Sequence, residues 1–178
     1  MWMSTLNGGV FDFDNLEDNE VLVSEIAGSL GKLCRFTGHC KVFYSVAQHS
    51  VLCSLMAKKH KMSKDLQYEA LMHDAAEAYH GDPSRPFWAS VGPEAARIKR
   101  AIEAAVRPKL GLSMEPDPII KVIDNRMLTT EKQQLMVDCG LPWETDGFSP
   151  FDIIIKPWGW RRSTAEFIKA YAKLRRKP

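Results

Sequence analysis

The sequence predicts an all-α protein, a compact helical bundle with a short N-terminal arm or hairpin. Six segments carry apolar residues at the three- and four-residue spacing of an amphipathic helix. Strand-like patterns are confined to residues 1 to 18 and to a short run at 151 to 155. The chain has 178 residues, enough for a core of its own, and no internal repeat or linker divides it. We therefore expect a single domain spanning residues 1 to 178.

The N-terminal segment is expected to form a short hairpin or an extended arm. Residues 1 to 18 place Gly8-Gly9 between two alternating segments, the second of which contains Phe11, and paired glycines of this kind mark turns. Further along, the β-branched run from Phe151 to Ile155 predicts a short strand. The arm around Phe11 is the expected partner of that strand.

The remaining ordered segments are expected to be helices. Ser45 with Gln48, and Ser163 with Glu166, have the three-residue spacing of a capping box, and Ser63 is a predicted N-cap. The expected helices cover residues 19 to 31, 45 to 60, 63 to 80, 94 to 109, 117 to 138 and 163 to 176.

The composition agrees with that of a cytoplasmic enzyme. No segment resembles a signal peptide or an apolar membrane span, so we expect no membrane partner. The four cysteines lack Cys-x-x-Cys spacing and are expected to be reduced, mostly packed thiols. The 24 basic and 22 acidic residues nearly balance, which argues against nucleic acid as a partner, and a homo-oligomer is left open. A solvated basic face is expected in the last helix and tail, at Lys169, Lys173, Arg175, Arg176 and Lys177.

The pair His73-Asp74 is the first indication of a functional site. It lies in a stretch that is otherwise small or apolar, where a charged carboxylate needs a partner because burial of an unpaired charge is costly. On a continuous helix, His73 and Glu77 would share one face with Leu66 and Ala70. Imidazole and carboxylate are both ligands of divalent cations, so a metal ion is the expected partner.

Two further polar residues lie on apolar helical faces. His49 is expected in the second turn of the helix that begins after Ser45, among apolar neighbours. Asp124 has Ile120 four residues before it and Leu128 four residues after it, which places its carboxylate on an apolar face. A lone aspartate of this kind is equally explained by a structural hydrogen bond. Its occurrence together with His49 and the His-Asp pair favours a shared site.

With these residues the chain resembles the HD-domain phosphohydrolases, all-helical enzymes that hold a divalent metal through a histidine, a His-Asp pair and a later aspartate. The segments around Arg35, His49 and His73 look like those of the bacterial 5'-deoxynucleotidases. They look at least as much like the compact phage enzymes that remove the triphosphate from dATP. The similarity runs from about residue 25 to about residue 130. The 5'-deoxynucleotidases have Arg-Trp where this chain has Arg35-Phe36.

The resemblance implies one divalent metal ion as cofactor. Zn²⁺, Co²⁺, Mn²⁺ and Mg²⁺ are all compatible with nitrogen and oxygen ligands. The implied ligands are His49, His73, Asp74 and Asp124.

The resemblance also implies roles for the surrounding residues. Glu77 is expected to orient or deprotonate the attacking water, and Asp82 to act on the sugar and leaving-group side. Arg35 is the expected phosphate ligand because its guanidinium matches phosphate oxygens in pairs. The remaining expected substrate contacts are Phe36, Pro86 and Trp88 around the base, and His39 and Arg85 near the phosphates.

The implied reaction is hydrolysis of a deoxynucleotide at the ester between O5' and the α-phosphorus, with dATP giving deoxyadenosine and triphosphate. A triphosphate calls for cations beyond Arg35, and Arg85, Lys99 and Arg100 are candidates. The alternative substrate is a deoxynucleoside monophosphate. Remoter alternatives are a phosphodiesterase, for which His39 and His60 lack an obvious second-metal spacing, and a non-enzymatic scaffold that binds nucleic acid through the basic last helix.

Overall fold

The computed structural model describes residues 1–175. The predicted basic residues Arg176 and Lys177, and the last residue of the predicted helix 163 to 176, lie outside the described residues. The helices are α1 (Val23–Lys32), α2 (Val46–Lys59), α3 (Lys64–Met72), α4 (Glu77–His80), α5 (Arg85–Val91), α6 (Pro93–Lys109), α7 (Pro118–Leu135) and α8 (Trp160–Leu174). The structure also has strands β1 (Trp2–Ser4) and β2 (Val10–Asp12) and two short 3-10 helices, Leu16–Asp18 and Arg35–Gly38. The prediction of a helix-rich fold is therefore confirmed. No helix within residues 1–175 combines the length and apolar character needed to cross a membrane.

The N-terminal hairpin is confirmed. Strands β1 and β2 pair antiparallel with Met3 opposite Phe11, and Gly8 in the turn has a φ of 82°, which glycine adopts without steric cost. Phe11 is fully buried and stacks on Tyr79 of α4 at a ring separation of 3.9 Å. The hairpin is thereby fastened to the short helix that follows the His-Asp pair.

The predicted strand at Phe151 to Ile155 is wrong, and so is its pairing with the arm. Within the described residues the only sheet is the β1-β2 hairpin. The extended segment bonds to side chains of α7 instead: the Phe151 N–H donates to Thr130 Oγ1, and the Ile155 N–H donates to Gln134 Oε1, each at 2.8 Å. Because these groups are satisfied by a helix, the segment needs no strand partner.

Helix α2 occupies the centre of the bundle. It contacts α1, α3, α7 and α8, and ten of its fourteen residues are buried, which is why its sequence shows little amphipathic periodicity. Ser45 caps its first turn by accepting the Gln48 N–H, as predicted. The reciprocal half of the capping box is absent, because the Gln48 side chain bonds to the backbone of Lys156 and Trp158.

The other helix starts were predicted with mixed success. Ser63 caps α3 by accepting the Leu66 N–H. The capping box at Ser163 is wrong, since α8 begins at Trp160 and the Ser163 hydroxyl, inside the helix, bonds to the Gly159 carbonyl at 3.3 Å. Helix α5 was not predicted, although Ser84 accepts the Phe87 N–H and a proline lies in the first turn, both common signs of a helix start.

The predicted continuous helix from 63 to 80 is broken at the His-Asp pair. Helix α3 ends at Met72, and the chain then tightens into turns with i→i−3 bonds, from Ala75 N–H to Met72 O at 3.0 Å and from Glu77 N–H to Asp74 O at 2.9 Å. In such turns residues three apart lie one above the other. Asp74 and Glu77 are therefore neighbours on one side, in place of the predicted helical stripe through His73 and Glu77.

Candidate functional site

Three parts of the fold bring the four predicted metal ligands together: α2, the turn after α3, and α7. His49 Nε2 lies 3.3 Å from His73 Nε2, 3.4 Å from Asp124 Oδ1 and 3.6 Å from Asp74 Oδ2. His73 Nε2 lies 3.2 Å from Asp74 Oδ2. Residues distant in sequence thus present two imidazole nitrogens and two carboxylate oxygens to one small volume.

These separations fit a divalent cation. With metal–ligand bonds of about 2.0 to 2.1 Å, donors of a tetrahedral site lie roughly 3.3 to 3.4 Å apart. The second nitrogen of each ring is already bonded: His49 Nδ1 donates to Glu131 Oε1 at 2.6 Å, and His73 Nδ1 donates to the Ala70 carbonyl at 2.9 Å. With both rings neutral, two Nε2 lone pairs would face each other beside two carboxylates, an arrangement that a cation stabilises.

A thiol also borders this volume. His49, Cys53 and His73 form a group whose ligand atoms all lie within 4.8 Å of one another, and Cys53 Sγ is 3.6 Å from His49 Nε2. Burial raises the pKa of the Cys53 thiol, which favours its neutral form. The cysteine was expected only to pack, so its place beside the histidines was not predicted.

The charges of the site stabilise one another in the absence of a metal. Burial and the Arg35 charge oppose protonation of His49, but its pKa is nevertheless raised well above the ordinary value by neighbours that include the Glu131 carboxylate and the hydrogen-bonded Asp124. Burial also disfavours the Asp124 carboxylate, yet its pKa lies well below the usual range because His49 bonds to it and His73 lies nearby. An incoming cation therefore competes with a proton on His49.

Arg35 is buried between three carboxylates. Its Nη1 lies 3.6 Å from Asp74 Oδ2 and 3.7 Å from Asp82 Oδ2, while its Nε lies 3.3 Å from Glu131 Oε2. The backbone is held where the Arg35 N–H donates to the Tyr44 carbonyl at 2.9 Å. The buried guanidinium therefore lies beside Asp74, one of the four predicted metal ligands.

Glu77 and Asp82 border the same cluster. Glu77 is buried, and its Oε2 has no hydrogen-bond partner. Burial raises the pKa of Glu77 well above its usual range, and the charges of Asp74 and Asp82 add to the effect. Burial likewise raises the pKa of Asp82, although Arg35 opposes this shift. Both predicted catalytic residues are thus carboxyl groups inclined to hold a proton.

Of the other residues predicted to contact phosphate, Arg85 and Lys99 lie near the site, whereas His39 makes no polar contact with it among residues 1–175. Arg85 Nη2 donates to Asn125 Oδ1 at 2.9 Å and lies 3.4 Å from Asp124 Oδ2, so it joins the edge of the cluster. Lys99 lies near enough to lower the pKa values of Glu77 and His80 by its charge. The His39 side chain is exposed and makes no polar contact with the cluster within residues 1–175.

The residues predicted to contact the base are Phe36, Pro86 and Trp88, and the two aromatic rings among them each have another ring as neighbour. The Phe36 ring lies 6.0 Å from the ring of Trp143 and 5.4 Å from Arg35 Cζ. Phe36 has a φ of 57°, a left-handed conformation that is strained for a bulky residue. Pro86 is exposed on α5, and Trp88 packs edge-on against His80 at 5.9 Å. Trp143, which was not predicted, is therefore the ring beside Phe36.

Glu131 is the main residue that the sequence analysis missed. Its side chain is fully buried and accepts hydrogen bonds from Tyr44 Oη at 2.7 Å and from His49 Nδ1 at 2.6 Å. It lies seven residues after Asp124, four after Met127 and four before Leu135. This is the pattern that indicated Asp124, a carboxylate on an apolar helical face, and it could have identified Glu131 as well.

Two relatives align with most of the chain. The uncharacterized protein YfdR of Escherichia coli (strain K12) is 38% identical over 142 residues, which are 80% of this chain and 76% of YfdR. An uncharacterized protein of Rhodobacter capsulatus is 30% identical over 142 residues, 75% of this chain and 72% of its own length. No protein-family model matches the chain. By its identity to these relatives and the coverage of both chains, the protein belongs to the family of Escherichia coli YfdR.

Proposed function

We propose that this protein is an HD-domain phosphohydrolase that cleaves deoxynucleotides at the bond between O5' and the α-phosphorus. The observation that carries the proposal is the juxtaposition of two kinds of group. His49 Nε2 lies 3.3 to 3.6 Å from donor atoms of His73, Asp74 and Asp124, and the buried Arg35 and Glu77 lie beside this group. A structural role alone would not require a cation site, a phosphate ligand and an unpartnered acid in one place.

The proposed metal ligands are His49, His73, Asp74 and Asp124. A divalent ion bound there would supply an acidified water and positive charge for the phosphate oxygens. Asp124 is suited to the role because Oδ1 faces His49, while Oδ2 is paired with Lys121 at 2.8 Å and with Arg85 at 3.4 Å. Such outer contacts orient a ligand and leave one oxygen for the ion. We assign Cys53 to the surrounding shell because burial raises the pKa of its thiol and so favours the neutral form.

The side chains then divide the reaction between them. Arg35 binds the α-phosphate through Nη1, whose separations of 3.6 and 3.7 Å from Asp74 and Asp82 are loose enough to be replaced by phosphate oxygens. A divalent ion bound beside Glu77 would lower the pKa that burial raises, and the ionised carboxylate would then accept the proton of the attacking water through its unpartnered Oε2. Asp82 donates a proton to the departing O5', which leaves as the 5'-hydroxyl of a deoxynucleoside, while the water oxygen stays on the phosphorus.

We propose dATP as the substrate, with triphosphate as the second product. A triphosphate needs positively charged side chains in addition to Arg35. Arg85 lies at the edge of the site and Lys99 lies near Glu77, so both could contact the additional phosphates. A deoxynucleoside monophosphate is the alternative, because the proposed cleavage chemistry is the same and Arg35 alone could bind its phosphate. The adenine preference rests on the resemblance to the phage enzymes.

Product analysis in ¹⁸O-labelled water tests the proposal. The protein is incubated with each dNTP and dNMP in Mn²⁺, Co²⁺, Mg²⁺ or Zn²⁺, and the initial products are identified. We expect deoxyadenosine and triphosphate from dATP, with ¹⁸O in the triphosphate. Pyrophosphate with dAMP would place the attack elsewhere, and activity on dAMP alone would select the monophosphate alternative.

Asp74→Asn is expected to abolish activity, whereas Lys169→Gln on α8 serves as the control. Activity unaffected by a chelator would overturn the proposal.

A further inference from the structure

Glu131 connects two parts of the site that otherwise have separate functions. Its Oε1 accepts from His49 Nδ1 at 2.6 Å, and its Oε2 lies 3.3 Å from Arg35 Nε. Tyr44 Oη donates to Oε1 at 2.7 Å. All four groups are buried. We infer that Glu131 is a positioning residue that simultaneously orients His49 toward the metal and Arg35 toward the phosphate, an inference that rests on the function proposed above.

The effect on His49 follows from the two nitrogens of its ring. A carboxylate only accepts, so the bond at Nδ1 keeps a proton on that nitrogen, and Nε2, which faces His73, Asp74 and Asp124, is the nitrogen available to a cation. A hydrogen-bonded carboxylate behind a ligating histidine also fixes the ring plane and makes the nitrogen a better donor. Without Glu131, the alternative tautomer would present Nε2–H to the cation.

The effect on Arg35 follows from its burial. A guanidinium taken out of water needs a counter-charge, and Asp74 and Asp82 cannot both supply it once Asp74 binds a cation. Glu131 lies at the Nε edge, away from the Nη1 that faces Asp74 and Asp82. The Glu131 carboxylate therefore balances the charge of Arg35 at the Nε edge, and Nη1 stays available to a phosphate oxygen.

The geometry of α7 makes this connection rigid. Asp124 and Glu131 are seven residues apart on this eighteen-residue helix, so two turns bring both carboxylates to the same side. One oxygen of Asp124 faces the metal volume, and Glu131 reaches the rear of His49. A shift of α7 would therefore move a ligand and its support together.

The test compares Glu131→Gln with Glu25→Gln, a matched change at another buried glutamate that bonds to Thr5 in the hairpin. Glutamine keeps the shape of the side chain and removes its charge. We expect Glu131→Gln to weaken Co²⁺ or Zn²⁺ binding by about 10- to 100-fold and to raise KM for the deoxynucleotide, with a smaller change in kcat. Glu25→Gln should change none of these, and both variants should keep the wild-type circular dichroism spectrum.

A second readout does not depend on activity. In ¹⁵N-histidine spectra of the metal-free protein, the Nδ1 proton of His49 should resonate far downfield and exchange slowly, and Glu131→Gln should shift it upfield or accelerate its exchange. If wild type binds a divalent ion and Glu131→Gln matches it in metal affinity, KM and the Nδ1 resonance, this inference is overturned and the proposed function stands. A wild-type chain that binds no divalent ion overturns both.

Discussion

His49 and His73 face each other through their Nε2 atoms at 3.3 Å, and the Nδ1 atom of each ring is bonded on the opposite side. The hydrogen bonds at Nδ1 therefore fix the orientation of both rings. The Nε2 atoms face each other and the carboxylates of Asp74 and Asp124. The neighbouring Glu131 and Asp124 carboxylates help to raise the pKa of the His49 imidazole despite its burial.

Binding of a divalent ion should therefore release a proton. Because the pKa of His49 is raised above its ordinary value, a cation that binds Nε2 competes with a proton there. We expect the apparent affinity for Zn²⁺ or Co²⁺ to fall as the pH is lowered. Calorimetric titrations in buffers of different ionisation enthalpy measure the proton count, with about one proton released per ion near pH 7. Enthalpies independent of the buffer would contradict this assignment.

Cys53 should remain outside the coordination sphere. Its thiol is buried and its pKa is raised, so a neutral sulfur borders the site. The Co²⁺-loaded protein should lack a sulfur-to-cobalt charge-transfer band in the near ultraviolet, and Cys53→Ser should bind the ion with unchanged affinity. An intense band that disappears in Cys53→Ser would instead make this cysteine a ligand.

Glu77→Gln should separate catalysis from binding. The substitution removes the proton-accepting carboxylate while preserving the size of a side chain whose Oε2 has no partner. We expect kcat to fall by roughly 10²- to 10⁴-fold, with metal affinity and KM close to those of wild type. Glu94→Gln, at an exposed residue of α6, is the control. Loss of the metal in Glu77→Gln would show that this residue is a ligand.

The sequence allowed the metal-ligand set to be proposed but not the local geometry that assembles it. Asp124 could be found because one carboxylate on an apolar face is visible in the residue spacing, and Glu131 has the same signature. The turn at His73 could not be found, because no glycine or proline marks the change from i→i−4 to i→i−3 bonds. The contact of Phe36 with Trp143 depends on a distant loop and a left-handed backbone, neither of which has a local pattern.

His80 should make the fold sensitive to acid. Burial, with help from the charge of Lys99, lowers the pKa of His80 to about 4 from an ordinary value of 6.5. The unfolded chain therefore takes up a proton at this residue at a higher pH than the folded chain, and stability falls as the pH drops from about 6.5 to about 4. His80→Asn should reduce this loss in the free energy of unfolding by roughly 2 to 3 kcal/mol.

Urea titrations at several pH values, with a chelator present, measure the effect of His80. His39→Asn, at an exposed histidine, is the control and should keep the wild-type dependence. If the free energy of unfolding of His80→Asn falls between pH 6.5 and pH 4 as much as that of wild type, another group is responsible for the loss of stability in acid.

Substrate selection should respond to the ring at position 36. Phe36 directly follows Arg35, the proposed phosphate ligand, and its ring lies 5.4 Å from the Arg35 guanidinium carbon and 6.0 Å from the ring of Trp143. A larger indole at this position would occupy more of the space beside a bound sugar and leave less room for a 2'-hydroxyl. We expect Phe36→Trp to raise the ratio of kcat/KM for dATP over ATP by several-fold, while metal affinity is unchanged. Trp143→Phe retains an aromatic partner for Phe36 and should leave this ratio near that of wild type. An unchanged ratio in Phe36→Trp would place the sugar elsewhere, and the exposed face of α5 with Pro86 would then be the next position to test.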